Sequence, residues 1–221
     1  MVEITHQKEY WEKARKRRHP THPVIKAFTS PKIALIRSVL SPFEKGKIKH
    51  WTLLDVGCGN GYFSYYWENF YQTICLDYSR QMLALNPCKK KTCGSAHTLP
   101  FENDSFDIVF CSNLLHHLQN PFKAVAEMKR VSRKFVVLSE PNRNNPFMFV
   151  FGFIKKEERN SLKFSPKYLK RILEKNKLTL QSFATMGSVL PNKCPSFLLP
   201  IINIFDFTNI LGFYNVAIGA K

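Results

Sequence analysis

The sequence lacks several features that would assign a protein class at once. None of its six cysteines forms a CxxC pair, and no signal-peptide pattern opens the chain, so we expect reduced thiols in a cytoplasmic protein. The longest apolar runs, PFMFVFGFI and SFLLPIINIF, are well short of the ~20 residues that span a bilayer. Cys88 and Cys93 lack further partners for a four-ligand set, so no metal is expected. These absences predict a soluble globular protein.

Acidic residues are also scarce. The 221 residues include 33 basic and 16 acidic ones, which gives a net charge of +17. The positive electrostatic field of such a charge attracts nucleic acid, anionic lipid or anionic small molecules. The basic run Lys13–Arg18 is either a solvated helix face or a contact with an anionic membrane or acceptor. The length predicts one domain with additions. The basic, helical pattern of residues 1–50 predicts an N-terminal cap, followed by a main domain over 51–221.

Short apolar runs that end in a polar residue recur along the main domain. Four of them predict buried strands: Trp51–Val56, Gln72–Asp77, Ser105–Asn113 and Arg133–Glu140. Helical stretches separate them, over Gly61–Asn69, Ser79–Asn86 and Pro121–Val131. The pattern also predicts helices over Val24–Leu40 and Lys167–Asn176, and strands over Lys177–Thr185 and Gly212–Lys221. Strands that alternate with helices indicate an α/β fold, with a parallel sheet covered on both faces.

The segment LLDVGCGNGYFS places three alternating glycines between a strand and a helix. The spacing is GxGxG, whereas the dinucleotide motif is GxGxxG. Asp55 precedes the loop by two residues, where it would meet a cationic group and repel a pyrophosphate. Asp77 closes the next strand, where a carboxylate can accept both hydroxyls of a ribose. S-adenosylmethionine fits these demands, because it carries a cationic amino group and no phosphate.

A longer stretch, about Leu53–Glu140, carries a family resemblance in LDVGCGNG, CLDYS and GSAHTLPFENDSFDIVFCSNLLHHL. It resembles the class I S-adenosylmethionine-dependent methyltransferases, in particular the type 11 group of ubiquinone and menaquinone biosynthesis. The resemblance implies a Rossmann-like sheet of seven strands, mostly parallel with the last strand antiparallel, and helices on both faces. GFYNVAIGAK suits that last strand. It also implies S-adenosylhomocysteine as product.

The resemblance further implies the residues that hold the cofactor. Asp55 and the loop residues Gly57, Cys58, Gly59, Asn60 and Gly61 would hold the methionine end. The ribose and adenine would be held by Asp77, Tyr78, Ser95, Ala96 and Leu99, with Asn113 and Leu114 as the floor near the sulfonium. Ser95 departs from the pattern, because many relatives carry an acid there. Serine offers the adenine amino group a shorter, neutral acceptor.

Three residues near the delivered methyl group are candidate catalytic residues. His116 and His117 follow the fourth strand, and Glu140 ends the fifth. Adjacent residues on a helix diverge by ~100°, so at most one histidine should face the pocket. Methyl transfer needs a base only when the acceptor must lose a proton, so the alternative is that one histidine packs, the other orients, and Glu140 lies at the pocket edge.

Cap insertions at about 144–164 and 187–211 should define the acceptor. In PFMFVFGFI, four phenylalanines at every second position predict an extended segment with one aromatic face, which is either core or a lipid-facing surface. The Pro-rich segment Gly187–Leu211 fits neither a strand nor a simple helix. A small apolar or lipid-like acceptor, with contact to an anionic membrane, is favoured. RNA or protein as acceptor, and a non-enzymatic binding module, remain alternatives, and the oligomeric state stays open.

Overall fold

The computed structural model describes residues 17–44, 50–202 and 211–221. Most of the basic run Lys13–Arg18, and residues 203–210 of the Pro-rich segment, lie outside these ranges. The strands are β1 (Thr52–Val56), β2 (Gln72–Asp77), β3 (Lys91–Cys93), β4 (Phe106–Ser112), β5 (Ser132–Pro141), β6 (Thr179–Met186) and β7 (Tyr214–Ala220). The α-helices are α1 (Pro23–Glu44), α2 (Ser64–Trp67), α3 (Arg80–Leu85), α4 (Pro121–Val131), α5 (Pro146–Ile154), α6 (Pro166–Lys175) and α7 (Leu199–Ile202). Short 3₁₀ helices cover Leu115–His117, Lys156–Lys163 and Ser196–Leu198.

The seven strands form one sheet in the order β3-β2-β1-β4-β5-β7-β6. Strands β1 to β5 pair in parallel, and β7 is antiparallel to both of its neighbours. The predicted Rossmann-like architecture, with its antiparallel last strand, is therefore confirmed. The sequence pattern missed only β3, whose three residues are too few to show an apolar run. All five parallel strands present their carboxyl ends to the same edge of the sheet.

Each face of the sheet packs against helices. On one face, α1 buries Phe28, Ile36 and Leu40 against Phe110 and other strand residues. On the other face, α4 and α6 pack over a second apolar cluster. Helix α6 begins as its sequence predicts, because the Ser165 side chain accepts a hydrogen bond from the Tyr168 N–H. The sheet is thus covered on both sides, and its strand ends are held rigidly.

Helix α1 is longer than predicted. The sequence pattern predicted an end at Leu40, but the helix continues through Pro42 to Glu44. The Glu44 carboxylate accepts a hydrogen bond of 2.5 Å from the Tyr71 hydroxyl and pairs with Arg37 at 3.2 Å. These contacts hold the last turn in place although proline cannot donate its backbone hydrogen bond. Helix α2, in contrast, is shorter than its predicted range of 61–69.

The phenylalanine-rich segment is a helix, so the prediction of an extended segment was wrong. Asn145 caps α5 by accepting from the Met148 N–H at 2.9 Å, and Pro146 occupies the first turn. The helix-start signal at Asn145 and Pro146 therefore decides the structure, although the phenylalanines alternate as in a strand. Only Met148 and Gly152 of α5 are buried. None of the described helices is long and apolar enough to cross a membrane.

Gly212 allows the chain to enter β7, and its replacement by alanine should destabilise the fold. A Cβ there would lie 2.3 Å from the backbone nitrogen of Met186, so the backbone would have to move. We expect the free energy of unfolding to fall by about 1–3 kcal/mol in chemical denaturation. Gly94→Ala is the matched control, because its nearest neighbour is the flexible Leu76 side chain at 3.1 Å. Equal losses in both variants would contradict this account.

Candidate functional site

The glycine loop follows β1 and bends sharply. Gly57, Gly59 and Gly61 all have positive φ angles, of 71°, 52° and 87°. Glycine adopts these angles without steric cost. A Cβ on Gly57 would lie 2.7 Å from the Leu114 side chain, and one on Gly61 would lie 2.6 Å from Asn86. The alternating glycines are therefore required both by the turn and by the side chains that pack against it.

Asp77 ends β2 beside this loop. One carboxylate oxygen accepts from the Gly59 N–H, and the other accepts from the Ser79 N–H, each at 2.8 Å. Burial raises the pKa of Asp77, and these backbone hydrogen bonds oppose the shift. The Tyr78 N–H adds a third backbone hydrogen bond, and because a carboxylate can accept about four, acceptor capacity remains for a ligand. The next side chain, Tyr78, is 55% exposed at the end of the strand.

Asp55 lies beneath the loop. Its side chain is buried and accepts a hydrogen bond of 2.5 Å from the Ser64 hydroxyl, which joins β1 to α2. Burial, with a smaller contribution from Cys75, raises the pKa of Asp55. The carboxylate thus supports the loop from inside. Its predicted contact with a cationic group stays a prediction.

The segment after β3 is clamped to α4. The Leu99 N–H donates to Glu127 at 2.8 Å, and the Arg130 guanidinium donates to the Leu99 carbonyl at 3.0 Å. Ala96 and Leu99 are buried, whereas Ser95 is half-buried. The Ser95 hydroxyl accepts from the His97 N–H at 3.2 Å. This clamp holds the residues predicted for the adenine edge in one loop at the end of β3.

The ends of β4 and β5 form the floor of the site. Asn113 has a positive φ of 52°, and its N–H donates to the Ser139 carbonyl at 2.8 Å. Ser112 and Ser139 are opposite each other in the two strands. Both hydroxyls are buried and lack a hydrogen-bond partner within the described residues. The sequence analysis missed this pair, although the two serines stand at predicted strand ends.

Glu140 and His116 are joined in the interior. One oxygen of the Glu140 carboxylate accepts from the N–H groups of Leu114 and Leu115, at 2.9 and 2.8 Å. The other lies 2.6 Å from His116 Nδ1. On the far side of the ring, His116 Nε2 lies 3.2 Å from a carboxylate oxygen of Glu158. The sequence analysis also missed Glu158, because no spacing or motif relates a cap insertion to the end of β4.

The pKa values of the two histidines are shifted in opposite directions. Burial opposes the charged form of His116, but Glu140 and Glu158 raise its pKa to about 10. Burial and the neighbouring His116 lower the pKa of His117 to about 3, so this imidazole is neutral at pH 7. Their ring centroids are only 3.9 Å apart. The expectation that at most one of them faces the pocket stays a prediction.

Two cap segments meet over the glycine loop. The Asn60 side chain donates to the Arg18 carbonyl at 2.9 Å, and the Arg18 guanidinium donates to the Pro191 carbonyl at 2.8 Å. The Tyr62 hydroxyl bonds to the Asn192 side chain at 2.6 Å. The N-terminal segment and the Pro-rich segment thus contact the loop and each other. Cys58, inside the loop, is buried.

A comparison with protein families assigns the central part of the chain. Residues 54–137 match the family model described as Methyltransferase domain. These residues are a methyltransferase domain. The predicted class I, type 11 assignment is thereby confirmed for these residues. The match contains the glycine loop, Asp77 and both histidines.

Curated relatives match the same domain over part of their length. An uncharacterised protein of Methanocaldococcus jannaschii is 38% identical over 97 residues, which cover 43% of this chain and 41% of that protein. A demethylmenaquinone methyltransferase of Renibacterium salmoninarum is 34% identical over 93 residues, covering 40% and 39%. The chain thus spans about two fifths of the length of these curated relatives.

A solved structure extends the likeness of the fold to almost the whole chain. It is the magnesium protoporphyrin IX methyltransferase of Synechocystis with bound S-adenosylhomocysteine. The TM-score is 0.63 at 13% identity, and the match covers 98% of this chain and 99% of that one. At 13% sequence identity, this structural similarity shows the fold alone.

Replacing Asp77 by alanine should weaken cofactor binding. The change removes the carboxylate acceptors and leaves the Gly59 N–H without its partner. Hydrogen bonds to a charged group contribute about 1.5–3 kcal/mol each, so the affinity for S-adenosylhomocysteine should fall at least about tenfold in calorimetry. Asp104→Ala, at a 53% exposed carboxylate, is the control. Unchanged affinity in Asp77→Ala would exclude a ribose contact at the end of β2.

Proposed function

We propose that this chain transfers a methyl group from S-adenosylmethionine to a small, apolar or lipid-like acceptor by in-line displacement. The observation that supports this most directly is the position of Leu114. Its side chain packs against Gly57 of the glycine loop, and its N–H donates to Glu140. The cofactor loop and the Glu140–His116 pair are therefore adjacent at the carboxyl ends of the strands, where α/β sheets bind ligands.

The residues of the loop and strand ends fit the proposed cofactor. Asp77 would accept a hydrogen bond from the ribose, and the exposed ring of Tyr78 would pack against the adenine. The loop at the end of β3 would surround the adenine edge with Ser95, Ala96 and Leu99. The methionine end would lie along Gly57–Gly61 above Asp55, and Asn113 and Leu114 would line the floor. S-adenosylmethionine supplies the electrophilic methyl group, and S-adenosylhomocysteine is the product.

The proposed catalytic residues are His116, His117 and Glu140. The sulfide leaves as a neutral group, so much of the rate can come from holding the acceptor in line with water excluded. Glu140 fixes the orientation of His116. His117 is neutral at pH 7, but its pKa of about 3 makes it a weak base, so it would assist only an acceptor whose own pKa is low in the site. These roles assign positioning to the buried pair and proton transfer to His117.

An exposed apolar surface supports a lipid-like acceptor. Phe147, Phe149 and Phe153 of α5 are exposed to 55%, 46% and 64%. Lys155 and Lys156 follow directly and are exposed, which suits contact with anionic headgroups. We infer that α5 contacts an anionic membrane surface. The six unpaired cysteines fit a cytoplasmic protein at the periphery of that membrane.

The cap segments complete the proposal. The regions 1–50, about 144–164 and 187–211 would enclose the acceptor around the domain at 51–221.

An RNA or protein acceptor is the alternative that the net charge of +17 favours. A non-enzymatic binding module is less favoured, because all three loop glycines are retained.

A labelling experiment tests the acceptor class. Methyl-labelled S-adenosylmethionine is incubated with the protein and, separately, with a lipid extract, a small-molecule extract, total RNA and total protein. We expect label in the lipid or small-molecule fraction. His117→Ala should lower the rate by about 100-fold or more for an acceptor that loses a proton, while cofactor affinity is retained. His50→Ala, at an exposed histidine, is the control. Label in RNA or protein alone would contradict the proposal.

Vesicle binding tests the membrane contact. The double variant Phe149→Ser/Phe153→Ser should lower binding to vesicles with 30% anionic lipid by about tenfold or more, because two apolar side chains leave the interface. Leu85→Ser/Leu180→Ser removes two other exposed apolar side chains, at 44% and 42% exposure, as a matched control. Equal losses in both double variants would exclude α5 as the contact surface.

A further inference from the structure

His116, His117 and Glu158 form a cluster that the proposed methyl transfer does not fully use. Each residue offers one ligand atom, and these atoms all lie within 4.8 Å of one another. Two imidazoles and one carboxylate are the ligand types that bind zinc and similar transition metals. We propose that this cluster binds a divalent transition metal ion of the zinc type at the acceptor end of the site.

The spacing of the ligand atoms suits such an ion. In a tetrahedral zinc site, bonds of about 2.0–2.1 Å place neighbouring ligand atoms ~3.3 Å apart. His116 Nε2 and the nearer Glu158 oxygen are 3.2 Å apart. The ion would therefore replace the direct contact between these two side chains, with little movement of either one. His117, whose ring lies 3.9 Å from that of His116 at a tilt of 45°, would supply the third ligand.

Glu140 provides the support that a metal-binding histidine usually has. Such histidines almost always donate their other ring N–H to a carboxylate or carbonyl, which fixes the ring. His116 Nδ1 lies 2.6 Å from Glu140, and this carboxylate is itself held by the N–H groups of Leu114 and Leu115. The side chain of Glu140 is fully buried. The ring of His116 thus has a fixed direction, with Nε2 pointing towards Glu158.

Accessibility indicates a site that is open on one side. His116 is 2% exposed, whereas Glu158 is 24% exposed and His117 is half-buried. Three protein ligands with a remaining open position are the pattern of catalytic rather than structural zinc. An acceptor oxygen, nitrogen or sulfur could occupy that position, and the ion would ease loss of its proton. This consequence rests on the proposed function, and the ion would then replace His117 as the group that promotes deprotonation.

Metal titration of the intact protein tests the proposal. Protein freed of metal with a chelator is titrated with zinc(II) by calorimetry and with cobalt(II) by visible absorption. We expect one equivalent to bind in the micromolar range or tighter, with the cobalt bands of a four-coordinate nitrogen and oxygen site. His117→Ala and Glu158→Gln should each lower the affinity at least about tenfold, and Glu140→Gln about 10–100-fold. His50→Ala should leave it unchanged.

Three results would overturn the proposal. These are the absence of stoichiometric binding, affinity that is unchanged in both His117→Ala and Glu158→Gln, and cobalt–thiolate absorption that indicates binding by cysteines. The cobalt spectrum of the unmodified protein decides the ligand type even if a variant fails to fold. S-adenosylhomocysteine affinity is measured on the same samples. Cofactor binding without metal binding would remove this inference alone, whereas loss of cofactor binding would remove the proposed function.

Discussion

The site depends on one buried carboxylate at the end of β5. Glu140 accepts hydrogen bonds from two backbone N–H groups of the segment after β4, and it also contacts the His116 ring. A buried charge is costly unless it is paired and hydrogen-bonded. These contacts meet that demand and fix the backbone at Leu114 and Leu115. Because Leu114 packs against Gly57, the same carboxylate fixes the backbone beside the glycine loop and the direction of the neighbouring histidine.

Much of the fold could be predicted because its signals are local. A few neighbouring residues are enough to recognise the glycine loop, the acids at the ends of β1 and β2, and the Ser165 cap of α6. The antiparallel β7 came from the family resemblance, because no local pattern gives the direction of a strand. Helix α5 shows how two local signals can conflict. Its rings suggested an extended chain, but the cap at Asn145 and the proline after it set the helix.

The part of the candidate site around His116 could be predicted only in part. His116, His117 and Glu140 stand at strand ends, so the topology brings them to the correct edge of the sheet. The contact between His116 and Glu158 depends on how the insertion after β5 folds back over the site. The separation of His116 and Glu158 in the sequence does not indicate that the insertion folds back in this way. The close approach of the two histidine rings likewise depends on the short 3₁₀ turn at Leu115–His117 and on the acids around it.

The insertion after β5 connects the outer surface with the interior of the site. Helix α5 and the 3₁₀ helix Lys156–Lys163 pack so closely that a Cβ on Gly152 would lie 2.7 Å from the Ser161 hydroxyl. One part of this unit presents exposed phenylalanines to solvent, and the other places Glu158 against His116. A small displacement of the unit would therefore act on both. The exposed phenylalanines and the Glu158 carboxylate consequently belong to one structural element, whose position depends on the packing around Gly152.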